Sequence, residues 1–263
     1  MTSRTLPSAL EPYLRLPPEA SLILLTSTLG CSVNWLTTRF ISSALTQDAS
    51  SKDEKVSILL VSWMRDLAFW KTEIRRGTGL DISKLSQANQ FAFIDCFSNP
   101  SITISDSEKQ ITDALSMLSQ AGGRKFLLVL DSPDILLATA STTTLELNQL
   151  LLRLRSQVHS TILTCSADQP LVSSAAGESR PTPIEAETAA FITTQAHAAR
   201  LVLSVRELDT GAAKDISGVL RVTKGGESYD LDEDERDTKE AELLYLVQRD
   251  GNAKVFSRGS DHS

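Results

Sequence analysis

Ser21-Leu22-Ile23-Leu24-Leu25-Thr26-Ser27-Thr28-Leu29-Gly30-Cys31-Ser32-Val33 is the stretch on which the fold turns. Ser21 to Leu25 reads as a short buried strand, a glycine turn follows, and Val33 to Leu45 reads as a helix. Nucleotide-binding α/β proteins place the loop G-x-x-x-x-G-K-[ST] at such a junction. The glycines let backbone N–H groups wrap phosphate, the lysine supplies charge, and the hydroxyl holds Mg²⁺. Here the window is Leu25 to Ser32; Gly30 and Ser32 fit, Leu25 replaces the first glycine, and Cys31 replaces the lysine. The frame is that of a nucleotide-binding fold, while the chemistry argues against ordinary nucleotide hydrolysis.

Working outward, apolar strand-like runs alternate with helix-period segments. Val56–Val61, Phe91–Asp95, Phe126–Asp131 and Thr161–Thr164 read as strands. Trp63, Leu67, Trp70 and Ile74 recur at i, i+4, i+7 and i+11, which predicts one apolar stripe of a helix ended by Arg76-Gly77-Thr78-Gly79. Ile111, Leu115 and Leu118 mark another helix, and Leu147, Leu150, Leu151, Leu154 and Val158 a further one. This β-α repetition predicts a mostly parallel sheet covered by helices on both faces. After a Ser-, Ala-, Pro- and Gly-rich loop from Ser166 to Pro183 and a helix over 184–198, the pattern changes. Leu201–Val205, Gly218–Val222 and Leu243–Val247 have no clear helices between them and are expected to pair antiparallel at one side of the sheet. The expected organisation is an N-terminal segment over 1–20, a single α/β domain over 21–250, and a disordered tail over 251–263.

The bulk properties bound the answer. A chain of 263 residues, 41% hydrophobic and 22% charged, suits one large globular domain. A net charge of −7 disfavours a protein that coats nucleic acid alone, though it leaves room for a local basic patch. Cys31, Cys96 and Cys165 sit at or just after apolar runs without a Cys-x-x-Cys, the pattern of buried, reduced thiols in a cytosolic or nuclear protein. The N-terminus carries Glu11 and Glu19 rather than a basic region before an apolar core, so no secretory signal is expected, and no apolar stretch is long enough to span a bilayer. His159, His197 and His262 are scattered, which argues against a histidine-based metal or hydrolase site.

Leu127-Leu128-Val129-Leu130-Asp131 has the form of a Walker B strand, four apolar residues ending in the acid that orients Mg²⁺ in an NTPase. Ser132-Pro133 follow, so no catalytic base stands beside Asp131; Asp134 and Asp95 are the alternative acids, with helix capping or loop hydrogen bonding as their plainer roles. Arg75 and Arg76 lie off the tryptophan stripe and, with Arg180 in the long loop, are the candidate nucleic-acid contacts; as ordinary surface charges they would only solubilise. No catalytic, metal or cofactor residue is expected.

Three stretches carry a family resemblance: Val61–Trp70 with Arg75–Asp81, Phe126–Asp131, and Ala199–Val202 with Gly218–Gly226. Together they resemble fungal Elongator complex subunit six, over about Leu22 to Val247. The tryptophan segment and Gly218–Gly226 are the more specific parts. The resemblance implies a RecA-like domain without an intact Walker A loop, in a hetero-hexameric ring with Elongator subunits four and five. That ring is an accessory module of the complex that modifies wobble uridine in tRNA; it binds tRNA and has been associated with nucleotide hydrolysis. Cytoplasmic and nuclear location, contact with the catalytic Elongator subcomplex and the absence of a cofactor are expected on the same ground. The competing readings are an atypical RecA-like ATPase with a lysine-less loop and an α/β regulatory protein with another partner. The missing lysine separates the first two, since phosphoryl transfer rests on charge stabilisation that a thiol does not supply.

Overall fold

The computed structural model describes residues 7–47, 55–99, 103–120, 122, 124–139, 142–173, 181–211, 213–229 and 239–257. The parallel half runs β1 (Leu22–Ser27), α1 (Asn34–Gln47), β2 (Lys55–Ser62), α2 (Leu67–Thr78), α3 (Ile82–Gln87), β3 (Phe91–Asp95), α4 (Ile104–Ser119), β4 (Arg124–Asp131), α5 (Ile135–Thr139), α6 (Thr144–Arg155), β5 (Ser160–Ser166), α7 (Gln169–Ser173) and α8 (Pro183–Ala198). Four strands complete the chain: β6 (Leu201–Arg206), β7 (Gly218–Lys224), β8 (Ala241–Val247) and β9 (Ala253–Ser257). All nine described strands form one sheet in the order β3-β2-β4-β5-β1-β6-β7-β8-β9. The first six in that order pair parallel, and β6 through β9 pair antiparallel. This is the expected RecA-like α/β sheet with its antiparallel side.

The strand sequences explain the layering. β1 and β4 are apolar at successive positions because alternate side chains enter different cores. Ile23, Leu25, Leu127 and Val129 pack with Trp35, Leu36 and Phe40 of α1 and with Trp70 and Ile74 of α2. Leu22, Leu24, Leu128 and Leu130 pack with Ile111 of α4, Leu147 and Leu154 of α6 and Phe191 of α8. β6 instead alternates buried with half-buried residues, as a strand with one less covered face does.

Several sequence expectations change, the expected 166–183 loop among them, since α7 forms within it. Trp63 and Trp70 do not share a helical stripe. Asp66 caps α2, its carboxylate accepting the Phe69 N–H at 2.8 Å, so the helix starts after Trp63. Trp63 packs in the α4/α6/α8 core, Trp70 in the opposite one, and Leu67 is 45% exposed. Next, residues 253–257 are a strand, not a tail. Gly251 takes φ +80°, which closes a turn between Gln248 and Asn252, and Ala253 to Ser257 then pairs along β8. Residues 7–20 of the N-terminal segment, finally, belong to the domain: Leu10 and Leu14 are buried in the α1/α2 core, and Tyr13 donates its hydroxyl hydrogen to the Lys239 carbonyl.

Candidate functional site

The strand-to-helix junction lies further along the chain than the phosphate-loop register places it. β1 continues through Ser27, pairing Thr26 and Ser27 with Cys165 and Ser166 on one side and Ser204 and Val205 on the other. α1 begins only at Asn34, three residues past Cys31. Leu25, which stands where the first glycine should be, is mid-strand and fully buried. Gly30 adopts φ +88°, and the Glu207 carboxylate lies against it where a side chain would otherwise project.

The N–H groups of a phosphate loop converge on the ligand. Here four of them already have partners inside the chain. Thr28 N–H donates to the Val205 carbonyl at 3.2 Å, and Cys31 N–H to the Thr28 carbonyl at 3.0 Å. Asn34 N–H donates to Ser32 Oγ at 3.2 Å, and Leu29 N–H to Asp168 Oδ1 at 2.5 Å. The Cys31 side chain is half-exposed rather than buried; Cys96 and Cys165 are buried as expected, and burial pushes both thiols up, Cys96 to about 11.

A cavity of about 260 Å³ opens beside the loop, over the C-terminal ends of β1, β4 and β5. Three carboxylates, Asp131, Asp134 and Asp168, line it against a single guanidinium, that of Arg65. Arg65 lies 5.1 Å over the Phe69 ring and donates to the Met64 carbonyl. Asp131 sits at the end of β4, in register with Ser62 on β2 and Thr164 on β5. Register thus places two hydroxyls beside the carboxylate: Ser62 Oγ donates to Oδ2 at 2.6 Å and Thr164 Oγ1 to Oδ1 at 3.1 Å. Asp131 is 3% exposed, and burial pushes its carboxyl above the usual range despite these donors.

Asp134 follows in the turn into α5. Its Oδ2 accepts the Ser166 N–H at 3.1 Å, while its Oδ1 is buried without a partner. Burial pushes its carboxyl up to about 6, with the Asp131 charge adding in the same direction. Asp95, the third candidate acid, takes the plainer role: its two oxygens accept from the N–H and hydroxyl of Ser98 in the following turn. Among the described residues no group of three or more His, Cys, Asp or Glu is arranged to hold a metal ion.

The basic candidates lie elsewhere. Arg75 and Arg76 occupy the last turn of α2, and Arg76 forms an ion pair of 2.6 Å with Glu73. Arg76 lines a second cavity, about 320 Å³, with Gly30, Cys31, Trp35, Phe69 and Tyr245, where Trp35 and Tyr245 stack with ring centroids 5.0 Å apart. Arg180 lies outside the described residues, as does the acidic run Asp230–Asp237. Sequence reading missed Ser62, Thr164 and Asp168, because a serine, a threonine or an aspartate at a strand's end carries no signal until the strands are set side by side.

Fold and site together define the class: a RecA-like α/β domain whose strand-to-helix junction lacks the first glycine and the lysine of a phosphate loop. Among solved structures the chain is similar to a KaiC-like protein of the hyperthermophilic archaeon Pyrococcus horikoshii, with a TM-score of 0.59 and 18% identity over 91% of each chain. At that identity the likeness speaks for the fold alone. No family model matches the chain, and no curated protein matches it in sequence. No helix among the described residues is long and apolar enough to cross a membrane.

Proposed function

We propose that the chain is a non-catalytic RecA-like subunit of the hetero-hexameric accessory ring of Elongator, the counterpart of subunit six. It would assemble with subunits four and five and serve tRNA binding for wobble-uridine modification by the catalytic subcomplex. The reading rests on the resemblance of the tryptophan segment and of Gly218–Gly226. The observation that favours a non-catalytic role is the loop. Its N–H groups at Thr28, Leu29, Cys31 and Asn34 are satisfied within the chain, and no lysine stands at position 31. A phosphate brought there would meet mostly carboxylates, and four of the loop's N–H groups would have to give up their present acceptors to replace its lost hydration.

The test is assembly. Co-expressed with subunits four and five, the chain should enter a discrete hetero-hexamer resolved by mass, with interfaces of more than about 1,000 Å² each. A monodisperse monomer that ignores both partners in size-exclusion chromatography would refute the reading. The second reading, an atypical ATPase, draws on the buried Asp131 at a Walker B-like strand end. Turnover of Mg-ATP by the purified chain would favour it.

A further inference from the structure

The Asp168 carboxylate takes one of the backbone N–H groups of the loop. Its Oδ1 accepts the Leu29 N–H, and a carboxylate acceptor makes such a bond charge-assisted. Its Oδ2 accepts the Ser166 hydroxyl at 3.0 Å, which fixes the carboxylate's orientation. The backbone holds the residue as well, since the Asp168 carbonyl accepts the N–H groups of Leu171 and Val172 as α7 begins. Ser166 is itself in register with Ser27 at the end of β1, and Ala167 N–H donates to the Ser27 carbonyl at 2.9 Å. The parallel β1–β5 pairing therefore delivers Asp168 to the loop. On the other side of the loop the Glu207 carboxylate lies against Gly30.

We infer that Asp168 is a built-in anion that closes the phosphate loop of this chain and keeps phosphate-bearing ligands out of the adjoining cavity. It acts in two ways. It occupies the Leu29 N–H, and it adds negative charge to a cavity that, among the described residues, is lined by Asp131 and Asp134 with Arg65 as the one basic side chain. The bond also fixes the loop without a ligand, with the Leu29 side chain 85% exposed at its tip. This rests on the reading of the chain as a RecA-like subunit without nucleotide chemistry of its own, and supplies the means by which the site is shut.

The experiment compares the full chain with Asp168→Ala and Asp168→Asn, using inorganic phosphate as the probe at constant ionic strength against chloride. Alanine frees the Leu29 N–H and removes the charge. Asparagine removes the charge and keeps an acceptor at the N–H. At a phosphate concentration about tenfold above its dissociation constant, Asp168→Ala should melt about 3–5 °C higher than in chloride. Wild type should show no such shift, and Asp168→Asn, which removes the charge but keeps the N–H occupied, a smaller shift than alanine. A folded Asp168→Ala that gains no phosphate-dependent stability overturns the inference, and so does a wild-type chain that binds phosphate equally well. Should the alanine variant fail to fold, amide hydrogen exchange at Leu29 in the wild type decides: protection unaffected by phosphate supports the closed loop, and fast exchange overturns it. Mg-ATP binding by the wild type would sink the underlying reading instead, so the two failures are told apart.

Discussion

Ser62 and Asp131 end neighbouring parallel strands in register, and the Ser62 hydroxyl donates to the Asp131 carboxylate at 2.6 Å. Thr164 completes the arrangement from the opposite strand at 3.1 Å. The Walker B-like acid is thus held by its own sheet. Its carboxylate oxygens are engaged by the two hydroxyls, and the group is almost fully buried at the wall of the cavity it lines.

That arrangement predicts a structural role for Asp131. Asp131→Ala leaves two buried hydroxyls without their acceptor and should lower unfolding free energy by about 2–4 kcal/mol. Asp131→Asn keeps one carbonyl acceptor and should lose less. Urea denaturation followed by circular dichroism measures both. An alanine variant as stable as wild type would count against a structural role.

Asp134 predicts a pH dependence. Its folded pKa, about 6, lies above the ordinary 3.8, so between these values the native state binds more protons than the unfolded chain. Stability contributed by the protonated form is present below about pH 4 and lost as pH rises through about 6. Full separation of the two pKa values corresponds to about 3 kcal/mol. Asp134→Asn, which keeps an acceptor for the Ser166 N–H, should therefore be more stable than wild type at pH 7.5 by up to that amount. The gap should close toward pH 4 in denaturation curves taken across the range; a gap that does not change with pH would contradict the assignment.

The loop predicts negligible Mg-ATP binding by the isolated chain. Isothermal calorimetry showing micromolar affinity, about −8 kcal/mol, would contradict it. Rebuilding the motif by Leu25→Gly with Cys31→Lys should not restore turnover. Leu25 is a fully buried strand residue, so its loss should cost about 3–5 kcal/mol of stability, visible in the same denaturation assay.

For the proposed ring, Arg75 and Arg76 carry the prediction about tRNA. Reversing both to Glu should weaken tRNA affinity of the assembled ring and flatten its salt dependence, because fewer phosphate contacts release fewer counterions. Assembly should survive, since the buried face of α2 is Trp70, Ile74 and Gly77. Affinity across a salt series, on a ring verified by mass, measures this. An unchanged slope would leave the two arginines as surface charge, Arg76 serving its ion pair with Glu73.

By itself the sequence determined the alternation of strands and helices, the two-sided burial of the parallel strands and the chemical gap at Leu25 and Cys31. Each is written in local order: apolar runs, helical periods and residue types in a fixed window. Which layer received Trp63 and which Trp70 was decided by the Asp66 cap, whose effect depends on where the chain turns after β2. The strand over 253–257 was decided by β8, because five weakly apolar residues become a strand only when a neighbour satisfies their backbone groups. The site was decided last. Ser62, Asp131 and Thr164 are far apart in sequence, and Leu29 and Asp168 are separated by 139 positions. Only parallel register at the C-terminal end of the sheet brings them within hydrogen-bonding distance, and hydrogen bonds depend on separation in space, which no local pattern encodes.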